Sequence, residues 1–229
     1  YQEQSNLEKQ ISETIRYKNT AQKYMSNGVQ RTISLLQNAE FINDNQITLM
    51  GIIAGQFQEI HPLVMAKVMV ETNYFENLSS EELAGLFACF INISISDDLK
   101  LNSPTTTSKT LNLISSRINT LMNEYYDMEL KFDVDSGSNY ERSFDLQQHV
   151  INWCKAIDEN SCKEILQDVK KDYQIFLGEF IKGLLKINNI AAEVERAAEA
   201  VQQLALIEKL RAIPAITLKY VATNQSLYV

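Results

Sequence analysis

The sequence contains little glycine, proline, cysteine or histidine, with 7, 3, 3 and 2 copies in 229 residues. So few glycines argue against a Gly-rich phosphate loop and a dinucleotide-binding core, and few turn-forming residues argue against an all-β fold. No run of about 18 apolar residues occurs, so no membrane-spanning helix is predicted. The polar N-terminus (residues 1–4) predicts no signal peptide and favours an intracellular protein, nuclear or cytoplasmic rather than secreted. Because there is no initiator Met, we expect a piece of a longer protein or a processed product.

The charge balance is acidic, with a formal net charge of −8 and a pI near 4.9. Such a balance disfavours broad, non-specific binding to nucleic acids, which needs a basic surface. Apolar residues make up 45% of the chain and charged residues 22%. This composition predicts a folded chain of one domain, or of one domain with a small satellite.

The sequence offers little that could carry catalysis or hold a metal. It has no phosphate loop and no D-E-x-[DH] motif, so the chain is not expected to hydrolyse nucleoside triphosphates by itself. The cysteines lack C-x-x-C spacing, and we interpret Cys89 and Cys154 as core residues. A Cys–His nucleophile formed by Cys154 and His149 is an alternative, but a surface histidine beside a buried cysteine is favoured. The acids at 97–98 and 133–135 lack calcium-loop spacing and are interpreted as solvated loops, so we predict no catalytic residue and no metal site.

The first 59 residues are interpreted as a linker or arm helix followed by a winged-helix remnant. A thin apolar stripe predicts a helix over residues 5–25, formed by Leu7, Ile11, Ile15, Lys18, Gln22 and Met25. The pair Asn27-Gly28 predicts a break, followed by a second short helix. The alternating pattern over residues 46–58 predicts a β-hairpin with Gly51 at its turn.

Residues 60–229 predict a helical bundle, so the fold class is mainly α with a short hairpin before it. Pro62 opens the first helix, and Ser79–Glu82 and Ser161–Glu164 have the pattern of capping boxes. Further helices are predicted over residues 109–129, 173–195, 198–210 and 214–222, with polar loops at 102–108 and 135–139. The only tryptophan, Trp153, is predicted to be buried and to anchor the bundle.

The helix predicted from Tyr173 onward carries the most informative pattern. Opposite its apolar face, one stripe contains Lys182, Lys186, Asn189, Glu193 and Arg196. A row of long cationic side chains one turn apart is suited to follow a nucleic-acid backbone. An ordinary solvated helix face is the alternative. Gly183 costs roughly 1 kcal/mol within a helix, so we expect a packing or access reason for it.

Four segments together resemble the C-terminal region of the DExH-box RNA helicases that deliver RNA to the exosome, known as the DSHCT domain. Residues 49–54 resemble the wing strand of that family, and residues 75–90 resemble its first bundle motif. Trp153 followed by residues 162–165 resembles its tryptophan helix and the short helix after it. Residues 225–229 resemble its C-terminal ending, which implies that Val229 is the true C-terminus.

The resemblance implies a non-catalytic C-terminal module of an ATP-dependent 3′→5′ RNA helicase, which closes the RNA channel. Residues 178–190 match the family's ratchet helix, which contacts RNA, with Lys182 and Lys186 where the family has arginines. Lysine keeps the charge but lacks the planar fork of arginine, so phosphate contacts are favoured over base stacking. The implied partners are single-stranded RNA, the motor domains of the same helicase and an RNA-degradation complex. No cofactor is expected in this chain, since ATP and Mg would belong to the motor. A helical scaffold that binds proteins and never touches nucleic acid is the alternative.

Overall fold

The computed structural model describes residues 11, 14–15, 18 and 25–220. In this part of the chain the fold is mainly helical, with nine α-helices and one small antiparallel sheet. The predicted fold class, a helical bundle with a short hairpin, is therefore confirmed. Within the described residues no helix has both the length and the apolar character that a membrane crossing requires.

Helix α1 covers residues 25–38, so the break predicted at Asn27-Gly28 is wrong. The side chains of Arg31 and Thr32 donate hydrogen bonds to the carbonyl groups of Asn27 and Gly28, one turn earlier. These contacts continue the helical spacing across the pair.

Part of the predicted N-terminal stripe and the C-terminal motif lie outside the described residues. Leu7, Gln22 and residues 225–229 belong to that part. The described apolar members of the stripe are exposed, namely Ile11, Ile15 and Met25.

The hairpin lies earlier in the chain than predicted. Strand β1 (Ile42–Asn43) pairs antiparallel with β2 (Gln46–Ile47). Asp44 and Asn45 form the two-residue turn at φ values of 48° and 61°. Hairpin turns of this type need positive φ at both positions, which Asp and Asn tolerate better than most residues.

The segment after the hairpin is helix α2 (Leu49–Ala54), so the prediction of a turn at Gly51 is wrong. Thr48 caps this helix, because its hydroxyl oxygen accepts a hydrogen bond from the N–H of Gly51 at 3.2 Å. Gly51 is required for a different reason: a Cβ atom there would lie 2.5 Å from the carbonyl oxygen of Phe41. Helix α2 therefore packs directly on the hairpin. A winged-helix origin for this region stays a prediction.

The next two helices begin where the sequence predicts. Helix α3 (Pro62–Glu71) starts with proline, and Nδ1 of His61 accepts from the N–H of Val64 at 3.3 Å. Helix α4 (Ser80–Phe87) has the predicted capping box between Ser79 and Glu82. A 3-10 turn (Ala88–Phe90) follows, and the chain continues as an irregular segment over residues 91–96.

Helices α5 (Lys109–Phe132) and α6 (Gln147–Lys155) are separated by the loop predicted around residues 135–139. Helix α7 (Glu159–Tyr173) begins earlier than the predicted capping box at Ser161. Its cap is Asp158, whose carboxylate accepts from the N–H of Ser161 at 2.8 Å.

Helix α8 (Leu177–Ala200) begins four residues later than predicted and ends later. The reason is Gln174, which adopts a φ of 59° and ends α7 after Tyr173. Helix α9 (Leu204–Thr217) continues through Pro214, where the sequence predicts a new helix. Its buried residues Leu210, Ile213 and Thr217 lie on both sides of the proline, so packing continues across it.

One apolar core extends from Ala39 to Ile213. Trp153 is fully buried, its ring lies edge-on to Phe180 at 5.4 Å, and its indole N–H donates to the carbonyl group of Thr217 at 2.8 Å. Residues on both sides of position 59 contribute to this core, and a domain boundary there stays a prediction.

Candidate functional site

The outer side of helix α8 carries the residues that the sequence singles out. Its inner side is buried in the core through residues such as Phe180, Leu184 and Ile187. The exposed positions follow one another at a helical spacing: Lys182, Leu185, Asn189, Ala192 and Arg196. Lys186 lies at the edge of this surface and is half-buried.

A groove runs between the N-terminal half of α8 and the segment 91–96. One part of it is a cavity of about 400 Å³, with Lys182 and Lys186 on one wall and Asn92 and Ser94 on the other. Among the described residues, no acidic group lies within ion-pair distance of the Lys182 ammonium group. The groove therefore offers one cation without an ion pair, next to the side chains of Asn92 and Ser94 and to the acidic Glu179.

Gly183 brings the two walls of the groove together. A Cβ atom at this position would lie 3.2 Å from Cδ1 and Cγ2 of Ile91. The expected packing reason for a glycine within the helix is therefore present. A larger side chain would push Ile91 and its segment away from α8.

Lys186 is partly neutralised by the loop between α2 and α3. Its ammonium group lies 2.7 Å from the carboxylate of Glu59 and 3.4 Å from the carbonyl oxygen of the same residue. Any anion that reaches Lys186 must share it with Glu59.

Glu193 does not lie on the exposed side, so its placement on the outer stripe is wrong. It is 5% exposed, and its carboxylate accepts hydrogen bonds from the N–H groups of Gln58 (3.1 Å) and Glu59 (3.0 Å). Its second carboxylate oxygen lies 3.6 Å from the guanidinium group of Arg196, which remains exposed. Glu193 thus holds the loop that presents Glu59 to Lys186.

The groove continues past Lys182 to the start of α8. A second cavity of about 490 Å³ shares Ser94, Glu179 and Lys182 with the first, so the two adjoin. The remaining residues around it are Ser96, Tyr173, Gln174, Phe176 and Gly178. Phe176 is 62% exposed.

Sequence reasoning missed several residues of this groove and of the exposed side of α8 next to it. Asn92 and Ser94 belong to an irregular segment more than 80 positions before α8, and periodicity does not connect the two. Leu185 is visible only as an apolar residue interrupting a polar stripe, and it is 39% exposed. Phe176 carries one sequence cue, since it occupies the N-cap position of α8, where Ser, Thr, Asp or Asn is preferred.

The other candidate chemistries receive no support. Burial raises the pKa of the Cys154 thiol to about 12, so the thiol is protonated at neutral pH, which argues against a Cys–His nucleophile. Burial lowers the pKa of His149, which lies 3.6 Å from Asp172. Asp97 pairs with Lys100, and Asp133 pairs with Arg31. Across the described residues, no group of three or more His, Cys, Asp or Glu side chains could hold a metal ion.

Comparison with known proteins identifies the family. No curated protein matches the sequence closely enough to count as a relative. The model of the DSHCT (NUC185) domain matches residues 44–217, which extend from the hairpin turn to the end of α9 and include the whole groove. This domain occurs at the C-terminus of Ski2-like DExH-box helicases and is a helicase C-terminal module. Because the match covers well over half of the sequence, the chain belongs to the DSHCT domain family.

Proposed function

We propose that the chain is the non-catalytic C-terminal module of an ATP-dependent 3′→5′ RNA helicase and contacts single-stranded RNA along helix α8. ATP and Mg would be bound by the motor domains, against which this module would close the RNA channel. The observation that carries the proposal is the groove of two adjoining cavities beside α8, in which Lys182 forms no ion pair with any described residue.

The groove suits phosphate positioning with little sequence readout. Lys182 and Lys186 are point charges that can each approach a phosphate. Leu185 and Asn189 are the neighbouring exposed residues on the same side of α8. Arg196 extends the same surface. Glu193 is left out of the proposed contacts, because its carboxylate is buried and already bonded to Gln58 and Glu59.

Binding by the isolated chain is expected to be weak. Two phosphate contacts release few counterions, and the net charge of −8 opposes RNA over the rest of the surface. The main electrostatic attraction would come from the motor domains. A submicromolar dissociation constant at physiological salt would contradict this view.

One observation favours the scaffold alternative. Ile47, Leu49 and Ile52, in the hairpin and α2, are 67%, 53% and 43% exposed. Ile47 lies against Gly51, so the hairpin residue and helix α2 are in contact at this exposed surface. In a helicase this patch would contact the motor domains, and a partner in an RNA-degradation complex is a further proposal for it.

The test is a titration of the chain with single-stranded RNA at low salt, using Lys182→Ala combined with Lys186→Ala. We expect weaker binding to every RNA sequence, and a salt dependence that is shallower by about 0.7 per lost phosphate contact. Lys109→Ala combined with Lys131→Ala is the matched control, since both lysines are exposed on α5 and lie away from the groove.

Unchanged affinity and salt slope in the α8 double variant would refute the RNA contact and favour the scaffold. In a helicase that carries this module, the same variant should also reduce RNA-stimulated ATP hydrolysis and unwinding.

A further inference from the structure

We infer that Phe176 is a stacking platform for an unpaired nucleobase at the end of the α8 groove. The inference rests on the proposed RNA contact and extends it from phosphate positioning to base stacking.

The exposed ring of Phe176 is not required for the start of the helix. The backbone N–H of Phe176 is already bonded to the carboxylate of Glu179 at 3.3 Å, which caps α8. Phe176 as a residue is 62% exposed, so it adds little to the core. A polar residue at this position would cap the helix better.

The ring lies where a strand in the groove would pass. Phe176 and Lys182 line the same cavity, and Lys182 also lines the next one with Lys186. Along the helix axis Phe176 precedes Lys182 by about 9 Å. A single strand held by the two lysines would therefore bring a neighbouring base over the ring.

One cation without an ion pair lies over the ring. The ammonium group of Lys170 lies 5.5 Å from the ring centroid, and within residues 25–220 neither Lys170 nor Lys171 has an acidic group at ion-pair distance. The nearby acids are partly engaged: Asp172 faces His149, and Glu179 caps Phe176, while Asp168 is exposed. An aromatic ring beside a cation that can reach a flanking phosphate is a combination found in single-strand binding sites.

The surroundings of the ring favour a nucleic acid over a protein. Besides one further aromatic residue, Tyr173, the other residues of the cavity are polar, charged or small, namely Ser94, Ser96, Gln174, Gly178, Glu179 and Lys182. A protein-docking site would need adjoining apolar area, whereas one flat ring is sufficient to stack one base.

The experiment compares Phe176→Leu and Phe176→Trp with the unaltered chain, using single-stranded RNA that contains 2-aminopurine. Phe176→Leu keeps an apolar side chain but removes the π face, so we expect affinity to fall about fivefold or more, with unchanged salt slope. The fluorescence quenching of 2-aminopurine on binding should also decrease. Phe176→Trp should retain both affinity and quenching. Tyr126→Leu, which alters another exposed aromatic residue on α5, is the control and should change neither.

The outcomes separate this inference from the proposed function. If the double lysine variant weakens binding but Phe176→Leu does not, the platform is refuted and the RNA contact survives. If neither variant changes binding, both are refuted. If Phe176→Leu leaves RNA binding intact but weakens association with motor domains, the ring is a protein contact and the inference is wrong.

Discussion

The two ends of helix α8 use their charged residues differently. At the N-terminal end, Lys182 and Phe176 border an open groove, and no acid among the described residues pairs with Lys182. At the C-terminal end the acids are engaged: Glu193 binds the loop before α3, and Glu195 and Glu199 pair with Arg211 on α9. Charged residues on the same stripe of α8 can therefore differ in role. A residue that another segment covers, such as Glu193, stabilises the fold, whereas an uncovered residue, such as Lys182, is available for binding.

This difference also separates stability from function. A change of Glu193 at the C-terminal end should alter the free energy of unfolding, since it leaves the partly buried N–H groups of Gln58 and Glu59 without their partner. Changes on the outer side of the N-terminal end should alter RNA binding with little effect on stability. Beneath the groove, however, the inner side of that same end is tightly packed on Trp153.

The largest effect is expected for Trp153→Ala, which should lower the free energy of unfolding by about 3–5 kcal/mol. The substitution removes a fully buried ring that contacts Phe180, and it leaves the carbonyl group of Thr217 without its indole donor. Denaturant unfolding followed by circular dichroism measures the change. Trp153→Phe should cost less, because it keeps the aromatic packing and loses only the N–H. A loss below about 1 kcal/mol for the alanine variant would show that the groove does not rest on a rigid base.

A smaller effect is expected for Glu193→Gln. The amide keeps the size of the side chain but weakens two charge-assisted hydrogen bonds to the N–H groups of Gln58 and Glu59, so we expect a loss of about 1–3 kcal/mol. Glu199→Gln is the matched control on the same helix, since Glu199 is exposed and pairs with Arg211. The control should cost less than about 1 kcal/mol. Thermal unfolding measures both variants. If they lose the same free energy of unfolding, the buried Glu193 contributes no more to stability than the exposed Glu199.

Helical periodicity predicted which residues share a face of α8, but not which segments cover that face. The spacing places Glu193 on one stripe with Lys182 and Asn189, and helical geometry alone therefore predicts that all three are exposed. The loop at Gln58 and Glu59 covers Glu193, although it lies about 130 positions earlier in the chain. Contacts at that separation arise from tertiary packing, which a pattern within one helix does not encode.

Local signals predicted boundaries well only where side-chain capping decides them. The capping box at Ser79 and the proline at the start of α3 act within one turn, and both predictions are confirmed. Around Gly51 the alternation of apolar residues favours strands, yet Thr48 caps a helix and Asp44-Asn45 takes the turn. The glycine was required by the approach of Phe41, which is a packing property and not a turn property.

The smallest effect on stability is expected for Glu59→Gln. Glu59 connects the two ends of α8, because it contacts both Glu193 and Lys186. Glu59 is held by Glu193 through its backbone and binds Lys186 through its carboxylate at 2.7 Å. Because this pair is about one-third exposed, its loss should change the free energy of unfolding by less than about 1 kcal/mol.

In the Glu59→Gln variant Lys186 would be free to approach phosphate, so RNA affinity should rise, by at most about fivefold at low salt. The increase should disappear at high salt and in a Lys186→Ala background, since both conditions remove the interaction that Glu59 opposes. A rise that persisted without Lys186 would mean that Glu59 repels RNA through its charge alone, and that the two ends of α8 are not coupled through this pair.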